Sequence, residues 1–534
     1  MVDEAHERSL STDVLLGVLK AIRKKRPELR IIVSSATLHA EHLLQFFTNE
    51  EQPQGETSEA TSSETTSVGR IVSIEGRAFP VDIHYLSQPC EDYVDRAVRT
   101  VFDIHASEPN GDILVFLAGR KEIDICIQKL SDRLYDLPKD ADRIQPLSLY
   151  AGLSRDDQEF VFESSADRTR KVIFSTNIAE ASVTIPGIVY VIDPGFVKLR
   201  AYNPETGIET LTTTPISKAS ATQRAGRAGR TKAGKCYRLY TEAAYTSLAE
   251  ATIPEIQRSN LAPTILQLKA LGFDNIARFN FVTPPPSTLI IRALEHLYTL
   301  GALDDYARLT KPPGTQMAEL ALEPMLSKTL LTAPSLACLP EILTIAAMTS
   351  VSSPIWIDTS SGSSSKKHQD FSRAKFAAEE GDHLTLLNVY QAFTTRGKKA
   401  KQWCHEHSLN FNALTSAVNI RNQLHHHVQN FNIPACAAAP HMSKQEAIRR
   451  CLTAGFFAHA AKMAHDGSFR TVGGSTVLHA HPSSSMHHRT MGVEWVVFGE
   501  VEQRGEKNYV RDVTRVERAW LVEYGGSYYR VEEG

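Results

Sequence analysis

No apolar run in this chain approaches the roughly 20 residues that a membrane-crossing helix requires, so no membrane partner is expected. The amino-terminal stretch also lacks the apolar segment of a secretory signal peptide. Cysteine is sparse: Cys90, Cys126, Cys236, Cys338, Cys404, Cys436 and Cys451 are odd in number, and no two stand as Cys-x-x-Cys. That excludes a disulfide framework and a paired-cysteine zinc site, and suits reduced thiols in an intracellular protein. The histidine groups His425-His426-His427 and His479, His481, His487 and His488 have no cysteine or carboxylate at ligand spacing, so they read as solvated or half-buried faces. Charge of one sign is missing too. Lys and Arg number 58 against 61 Asp and Glu, a net charge of −3. The overall field therefore offers a polyanion nothing, and any nucleic-acid contact must come from locally placed side chains, backbone amides and helix ends.

What is present begins with Gln223-Arg224-Ala225-Gly226-Arg227-Ala228-Gly229-Arg230. Three guanidiniums recur every third residue on a glycine-spaced turn. Arginine stays charged at physiological pH and matches phosphate oxygens with a planar fork, while Gly226 and Gly229 permit close backbone approach. Arg224, Gly226 and Gly229 are therefore candidate contacts for a triphosphate. Near the amino terminus, Asp3-Glu4-Ala5-His6 follows the apolar Met1-Val2. Acids at the carboxyl end of a strand are where an α/β nucleotide hydrolase holds magnesium and a water, although the same pair would also favour a helix amino terminus. Gly229 to Cys236 nearly spells a phosphate-binding P-loop, but Cys236 replaces the required hydroxyl and Cys236 to Tyr240 reads as a strand where a helix must begin.

With 534 residues, 42% of them apolar, several domains with their own cores are expected. Asp13 to Lys25 has helical spacing, and Leu29 to Ser34 and Arg70 to Ile74 read as strands. The Ser/Thr/Glu-rich stretch 49–68 reads as a disordered insertion. Buried-type strands at Ile113 to Leu117, Val172 to Ser175 and Val189 to Ile192 predict a parallel-sheet lobe, with Tyr202 to Gly207 as a hairpin turn. Ile265 to Leu271 and Leu289 to Leu300 are amphipathic helices flanking Pro284-Pro285-Pro286. Met325 to Gln423 is helical apart from the Ser-rich 359–365 loop, and Trp495 to Glu500 and Trp520 to Tyr524 predict a return to strands.

In order along the chain, Asp3-Glu4-Ala5-His6-Glu7-Arg8, Ser35-Ala36-Thr37, Gly111 to Ile123, Ser175 to Gly187 and Gln223 to Arg230 resemble the motor motifs of the DEAH-box RNA helicases. Pro254 to Arg258, Gly381 to Asn388, Ile420 to Leu424 and Tyr509 to Val513 resemble the accessory modules of its pre-mRNA-processing group. The resemblance implies an α/β fold: a RecA-like motor with an incomplete first lobe and a complete second lobe, then winged-helix, helical-bundle and OB-fold domains. The expected divisions are 1–85, 86–245, 246–312, 313–430 and 431–534. It implies ATP and Mg2+ as cofactors, with Asp3 and Glu4 as the metal and water residues. His6 would link the lobes, Ser35 and Thr37 would couple them, Arg227 and Arg230 would be arginine fingers, and Gln223 would place the water. Single-stranded RNA would be held through its backbone by Ser175, Thr176 and Asn177, where a strand gives way to a helix, and on the OB-fold by Lys507, Tyr509 and Arg511. Ordinary capping and a plain surface strand are the alternatives for these two groups. Spliceosomal proteins and a G-patch-type activator are the implied partners, and the nucleus the implied location.

The chain departs from the family pattern in three places. Ala118 and Arg120 stand where threonine and glutamine are usual, Ala181 where threonine is usual, and Gln503 to Glu506 replaces a threonine-containing turn. A Gly-rich loop with Lys and Thr upstream of Asp3 is expected of the family and has no counterpart in these residues. An amino-terminally truncated helicase is thus the expectation, with an inactive RNA-binding or scaffold protein as the alternative.

Overall fold

The computed structural model describes residues 1–35, 40–48, 69–74, 79–136, 142–153, 155–180, 184–357, 371–433, 442–472, 476–487, 492–505, 507–526 and 528–529. Thr37, Ala181, His488 and the 49–68 and 359–365 segments lie outside the described residues. The chain divides into two compact units. One comprises Met1–Leu199, Thr213–Gln257 and Asn280–Pro285; the other comprises Arg200–Thr212, Arg258–Phe279 and Pro286–Gly534.

The first unit opens with α1 (Leu10–Lys25) and α2 (Ala40–Thr48). The Ser9 hydroxyl accepts the Thr12 N–H at 3.2 Å and starts α1. There follow β1 (Val81–Tyr85), α3 (Tyr93–Ser107), β2 (Asp112–Phe116), α4 (Arg120–Arg133), β3 (Arg143–Leu149), α5 (Arg155–Phe162), β4 (Thr169–Ser175) and β5 (Ile188–Asp193). Next come β6 (Phe196–Asn203), β7 (Ile208–Pro215), α6 (Lys218–Ala225) and β8 (Gly234–Arg238). Continuous apolar runs suit strands covered on both faces, and Ile113 to Phe116 of β2, Val172 to Phe174 of β4 and Ile188 to Ile192 of β5 are such runs. They lie inside a parallel sheet of order β1-β8-β5-β2-β4-β3. Alternate residues face opposite sides. Ile113 and Val115 join one core with α3 and α4, while Leu114 and Phe116 join another with Val161 of α5 and Ala225 of α6. The carboxyl ends of the strands thus carry Ser175, Asp193 and Arg238, the edge at which parallel sheets bind ligands.

Outside that sheet, β6 and β7 form a two-stranded hairpin. Its turn is tied by Asn203, whose Oδ1 accepts from Glu205 N at 2.9 Å, and by Gly207, whose φ of 70° favours glycine.

The second unit holds the helix Ala262–Ala270, buried over most of its surface rather than on one face, and the amphipathic helix Ser287–Thr299, then Pro324–Thr332, Leu339–Thr349, Asp382–Thr394 and Phe411–Asn430. Its last part is a sheet of β9 (Ala460–Met463), β10 (Phe469–Thr471), β11 (Val477–Ala480), β12 (Trp495–Val497), β13 (Val501–Arg504), β14 (Lys507–Val510) and β15 (Thr514–Val516). The order is β13-β14-β11-β10-β9-β12-β15, packed around Phe469, Leu478, Val496, Phe498 and Val510.

Three predicted strands differ. Leu29 to Ser34 forms, among the described residues, one parallel bridge, Val33 to Val2, because the left-handed bend at Glu4 turns the facing segment into a helical turn instead of continuing the ladder. Arg70 to Ile74 lies outside any sheet and exposes Val72 and Ile74. Trp520 to Tyr524 belongs to the helix Arg518–Gly525. Its apolar residues Trp520, Leu521 and Val522 run consecutively, as in a buried strand, yet burial selects Trp520 and Leu521 and leaves Val522 41% exposed. Trp520 also lies between the Arg449 and Arg450 guanidiniums, each 5.0 Å from its ring centroid.

Candidate active site

The acid pair is set by backbone geometry. After Val2 the chain bends through Glu4, which has a φ of 51°, into the single turn Ala5–Glu7. The bend points the Glu4 N–H at Asp3 Oδ1, 2.9 Å away. A hydrogen bond from Ser34, then that backbone N–H, hold the exposed Asp3 carboxyl below its usual range. Asp3 therefore presents ionised, water-accessible oxygens, the hard donor type that magnesium prefers. Glu4 Oε2 stands 3.3 Å from His6 Nε2, and the His6 ring is 8% exposed. Glu7 is raised by partial desolvation of its carboxyl and then by the neighbouring charges of Glu4 and Glu180, outweighing His6. Arg8, also left-handed at a φ of 50°, clamps Asp13 with Nε to Oδ1 at 2.7 Å and Nη2 to Oδ2 at 2.9 Å. That bidentate pair holds the turn on α1 and was not foreseen from the sequence. Ser35 Oγ is buried with no hydrogen-bond partner among the described residues.

The arginine comb separates into three different environments. Arg224 is fully buried. Its Nε donates to Glu180 Oε1 at 2.6 Å, Nη1 to Asp193 Oδ1 at 2.8 Å and Nη2 to the Phe196 carbonyl at 3.1 Å, and it lies 4.7 Å over the Phe116 ring. Burial opposes its charge, but the Glu180 and Asp193 carboxylates outweigh burial and keep it charged. The expectation that Arg224 contacts phosphate is thus corrected: its fork is committed to two acids inside the protein. Gly229 is corrected likewise, since a Cβ there would meet the Phe79 carbonyl oxygen at 2.5 Å. It admits the strand leading into β1, not a ligand. Gly226 is exposed and ends α6.

Arg227 and Arg230 face differently. Arg227 donates to the Glu180 carbonyl, and Arg230 Nη1 donates to Thr184 Oγ1 at 2.7 Å. Arg227 is lowered to about 10, by burial first and then by the like charge of Arg230, against the opposing pull of Glu4 and Glu180. Two guanidiniums that repel each other, with Glu4 within electrostatic reach of Arg227, suit a polyanion between them. Gln223 is half-exposed on the last turn of α6.

Glu180 and Asp193 were missed in the sequence. Asp193 ends a wholly buried strand, a position that offers a carboxylate either a cation or an exit; its Oδ2 also accepts from Tyr240 Oη at 3.0 Å.

Of the RNA candidates, Ser175 is fully buried and its hydroxyl donates to the Thr176 carbonyl at 2.9 Å, so it reaches no phosphate. The expected helix after it is a three-residue turn, Asn177–Ala179, with Thr176 half-exposed and Asn177 exposed. In the other unit, Lys507 and Tyr509 alternate on β14 with Arg511 just beyond it. Lys507 is exposed, Tyr509 lies beside His479 and His481, and Arg511 pairs with Glu502 at 3.0 Å.

Comparison with known proteins supplies the family. Residues 95–232 match the helicase conserved C-terminal domain. Residues 293–322 and 323–386 match the winged-helix and ratchet-like parts of the helicase associated domain, and 448–528 match the oligonucleotide/oligosaccharide-binding fold. The human probable ATP-dependent RNA helicase DHX35 is 47% identical over 99% of this chain and 73% of its own length. The chain belongs to the DEAH-box family of ATP-dependent RNA helicases. The Caenorhabditis elegans DHX35 homolog is 46% identical, covering 99% of this chain and 70% of its own length. A putative pre-mRNA-splicing factor ATP-dependent RNA helicase of Schizosaccharomyces pombe is 42% identical, covering 98% of this chain and 77% of its own length. This helicase is thus an α/β protein with a RecA-like lobe, winged-helix and ratchet modules and an OB-fold, and it uses ATP. No helix among the described residues is long and apolar enough to cross a membrane.

Proposed function

We infer that this helicase couples ATP hydrolysis to remodelling of RNA and ribonucleoprotein complexes in nuclear pre-mRNA splicing. The observation that carries the chemical part is that Arg227, crowded by Arg230, lies within the electrostatic reach of Glu4. On this reading Asp3 holds magnesium through water, and Glu4 orients the attacking water and takes its proton. Magnesium, when bound, neutralises charge on the phosphates. Arg227 and Arg230 stabilise negative charge developing on the γ-phosphate, Gln223 helps place the water, and His6, Ser35 and Thr37 relay closure between the lobes. Arg224 acts indirectly, by fixing α6 on Glu180 and Asp193.

RNA contact falls to Thr176, Asn177, Lys507, Tyr509 and Arg511, chiefly through the phosphate backbone, with little base preference. The divisions 1–85, 86–245, 246–312, 313–430 and 431–534 are the working domains of this reading. Spliceosomal proteins and an activator of G-patch type are its partners; the splicing assignment leans on the name of the fission yeast relative.

The test is RNA-stimulated ATP hydrolysis. Replacing a positioned general base costs about 100-fold or more, and an arginine finger about 1000-fold. Glu4→Gln and Arg227→Ala should lose rate on those scales while nucleotide still binds. Unchanged rates in both variants would refute the catalytic assignment, and RNA binding without any hydrolysis would favour a scaffold.

A further inference from the structure

Beside β1, the terminal strand of the parallel sheet, lies a cavity of about 160 Å3, walled on one side by α3 and on the other by β1 and β8. On α3, Arg96, Thr100, Asp103 and Ser107 recur every three or four residues, so they share the face that lines it. The facing wall includes His84 and Tyr237, whose rings stack with centroids 5.1 Å apart at 17°. Leu86, Ile104 and Leu239 supply apolar surface. His84 and Asp103 are exposed, so the cavity opens to water.

The charges nearby are spent on one another. Arg99 Nε meets Asp95 Oδ2 at 2.7 Å, and Lys235 Nζ meets Glu108 Oε1 at 2.7 Å, to which Tyr237 Oη also donates at 2.9 Å. The hydroxyl hydrogens are spent on the helix itself: Thr100 donates to the Arg96 carbonyl at 2.9 Å and Ser107 to the Asp103 carbonyl at 2.7 Å. Arg238 borders the cavity as well, and although its Nε lacks an acceptor, its Nη1 donates to Tyr85 Oη at 2.5 Å and its guanidinium lies 4.2 Å over the Tyr245 ring. Arg96 has no such engagement. It is half-buried, its Nε is shut off from water without an acceptor, and among the described residues its guanidinium meets no carboxylate. Asp103 stands seven residues along α3, a rise of about 10 Å, and the two form no ion pair.

We propose that this cavity binds an organic carboxylate carried on a short apolar stem, with Arg96 taking the carboxylate and Leu86, Ile104 and Leu239 the stem. A buried guanidinium N–H without an acceptor is costly, and a carboxylate matches the guanidinium fork with two parallel hydrogen bonds. A phosphate dianion is met less well, because Asp103 repels its second charge and Arg238 is already engaged. The volume is that of cavities that take up one benzene ring, and apolar walls with a few orienting polar groups are the usual make-up of a ligand pocket. A free acid and a glutamate side chain of another polypeptide present the same chemistry to Arg96. The site uses none of Asp3, Glu4, Arg227 and Arg230, so failure of the catalytic assignment leaves it untouched.

Methyl-resolved NMR on the whole chain, labelled at isoleucine and leucine, reads the site directly. Benzoate should shift Leu86, Ile104 and Leu239 and saturate in the millimolar range, with neutral benzamide binding about tenfold more weakly. Arg96→Gln should erase that preference, and Arg96→Lys should keep part of it, since lysine retains the charge without the fork. Asp103→Asn, at an exposed position, is an independent variant and should tighten benzoate about threefold by removing a like charge. An acetylated, amidated pentapeptide with one central glutamate separates the two sources: binding at least as tight as benzoate assigns the site to a polypeptide, and weaker binding assigns it to a free acid. Absence of shifts at the three apolar residues, equal binding of benzoate and benzamide, an unaltered preference in Arg96→Gln, or inorganic phosphate binding as tightly as benzoate overturns the proposal.

Discussion

Asp512 is a carboxylate whose surroundings oppose its charge. It sits at a φ of 54°, and burial first, then the carboxylates of Asp382 and Glu500, push it up to about 7 against the pull of Arg511. A carboxyl raised above its unfolded value of 3.8 takes up a proton on folding, so stability from this group is complete below that value and is lost as pH rises through about 7. Asp512→Asn removes the charge and keeps a side chain that tolerates the left-handed region. Thermal melts should show the variant gaining on wild type as pH is raised from 5 to 8, on the order of a few degrees. A constant difference across that range would contradict the assignment. Arg224 gives the opposite case. Removing one member of a buried ionic cluster strands the others and costs about 3–5 kcal/mol. Arg224→Met should therefore lower the denaturant midpoint sharply, whereas Arg230→Met, at an exposed position, should leave it nearly unchanged. Residue roles of this kind were only half legible. Spacing revealed three arginines on one turn, but it carried no information on which would meet Glu180 and Asp193, acids 44 and 31 positions away.

Among the elements, legibility followed burial. The strands β2 and β5 and the Val172 to Phe174 part of β4 could be read because a parallel strand covered on both faces is apolar on both; the buried Arg170 and Lys171 at the start of β4 hid the rest. The Arg518–Gly525 helix could not, because its consecutive apolar run, Trp520 to Val522, suits a strand as well as a helix, and its Trp520 packs on two arginines of the helix Lys444–Phe456. Leu29 to Ser34 has strand composition but meets a segment that bends at Glu4 into a helical turn, a fact about its neighbour. Gly229 is where element packing is most exposed to mutation. A methyl group there would lie 2.5 Å from the Phe79 carbonyl oxygen and 2.8 Å from Val81. Gly229→Ala should destabilise the β1 edge by about 1–3 kcal/mol, as overpacking does elsewhere. Gly226→Ala has only ordinary contacts to Thr222 and Gln223 and should be tolerated. Denaturation of the pair, followed by tryptophan-independent circular dichroism, separates them.

At the scale of the whole molecule, a net charge of −3 means that RNA affinity depends on a few placed cations. Lys507→Ala should weaken binding equally across oligonucleotide sequences and reduce the slope of log affinity against log salt by about one. A sequence-selective loss would instead make Lys507 a reader of bases. The long-range assembly was the least legible level, and Ile208 shows why: nothing near it in sequence announces that it will fill a space among Phe469, Leu478 and Phe498. The same borrowing limits how the protein can be dissected. An OB-fold expressed from residues 431–534 alone would carry an empty socket where that isoleucine plugs in, and should clump or melt early until a peptide copy of 200–212 is supplied.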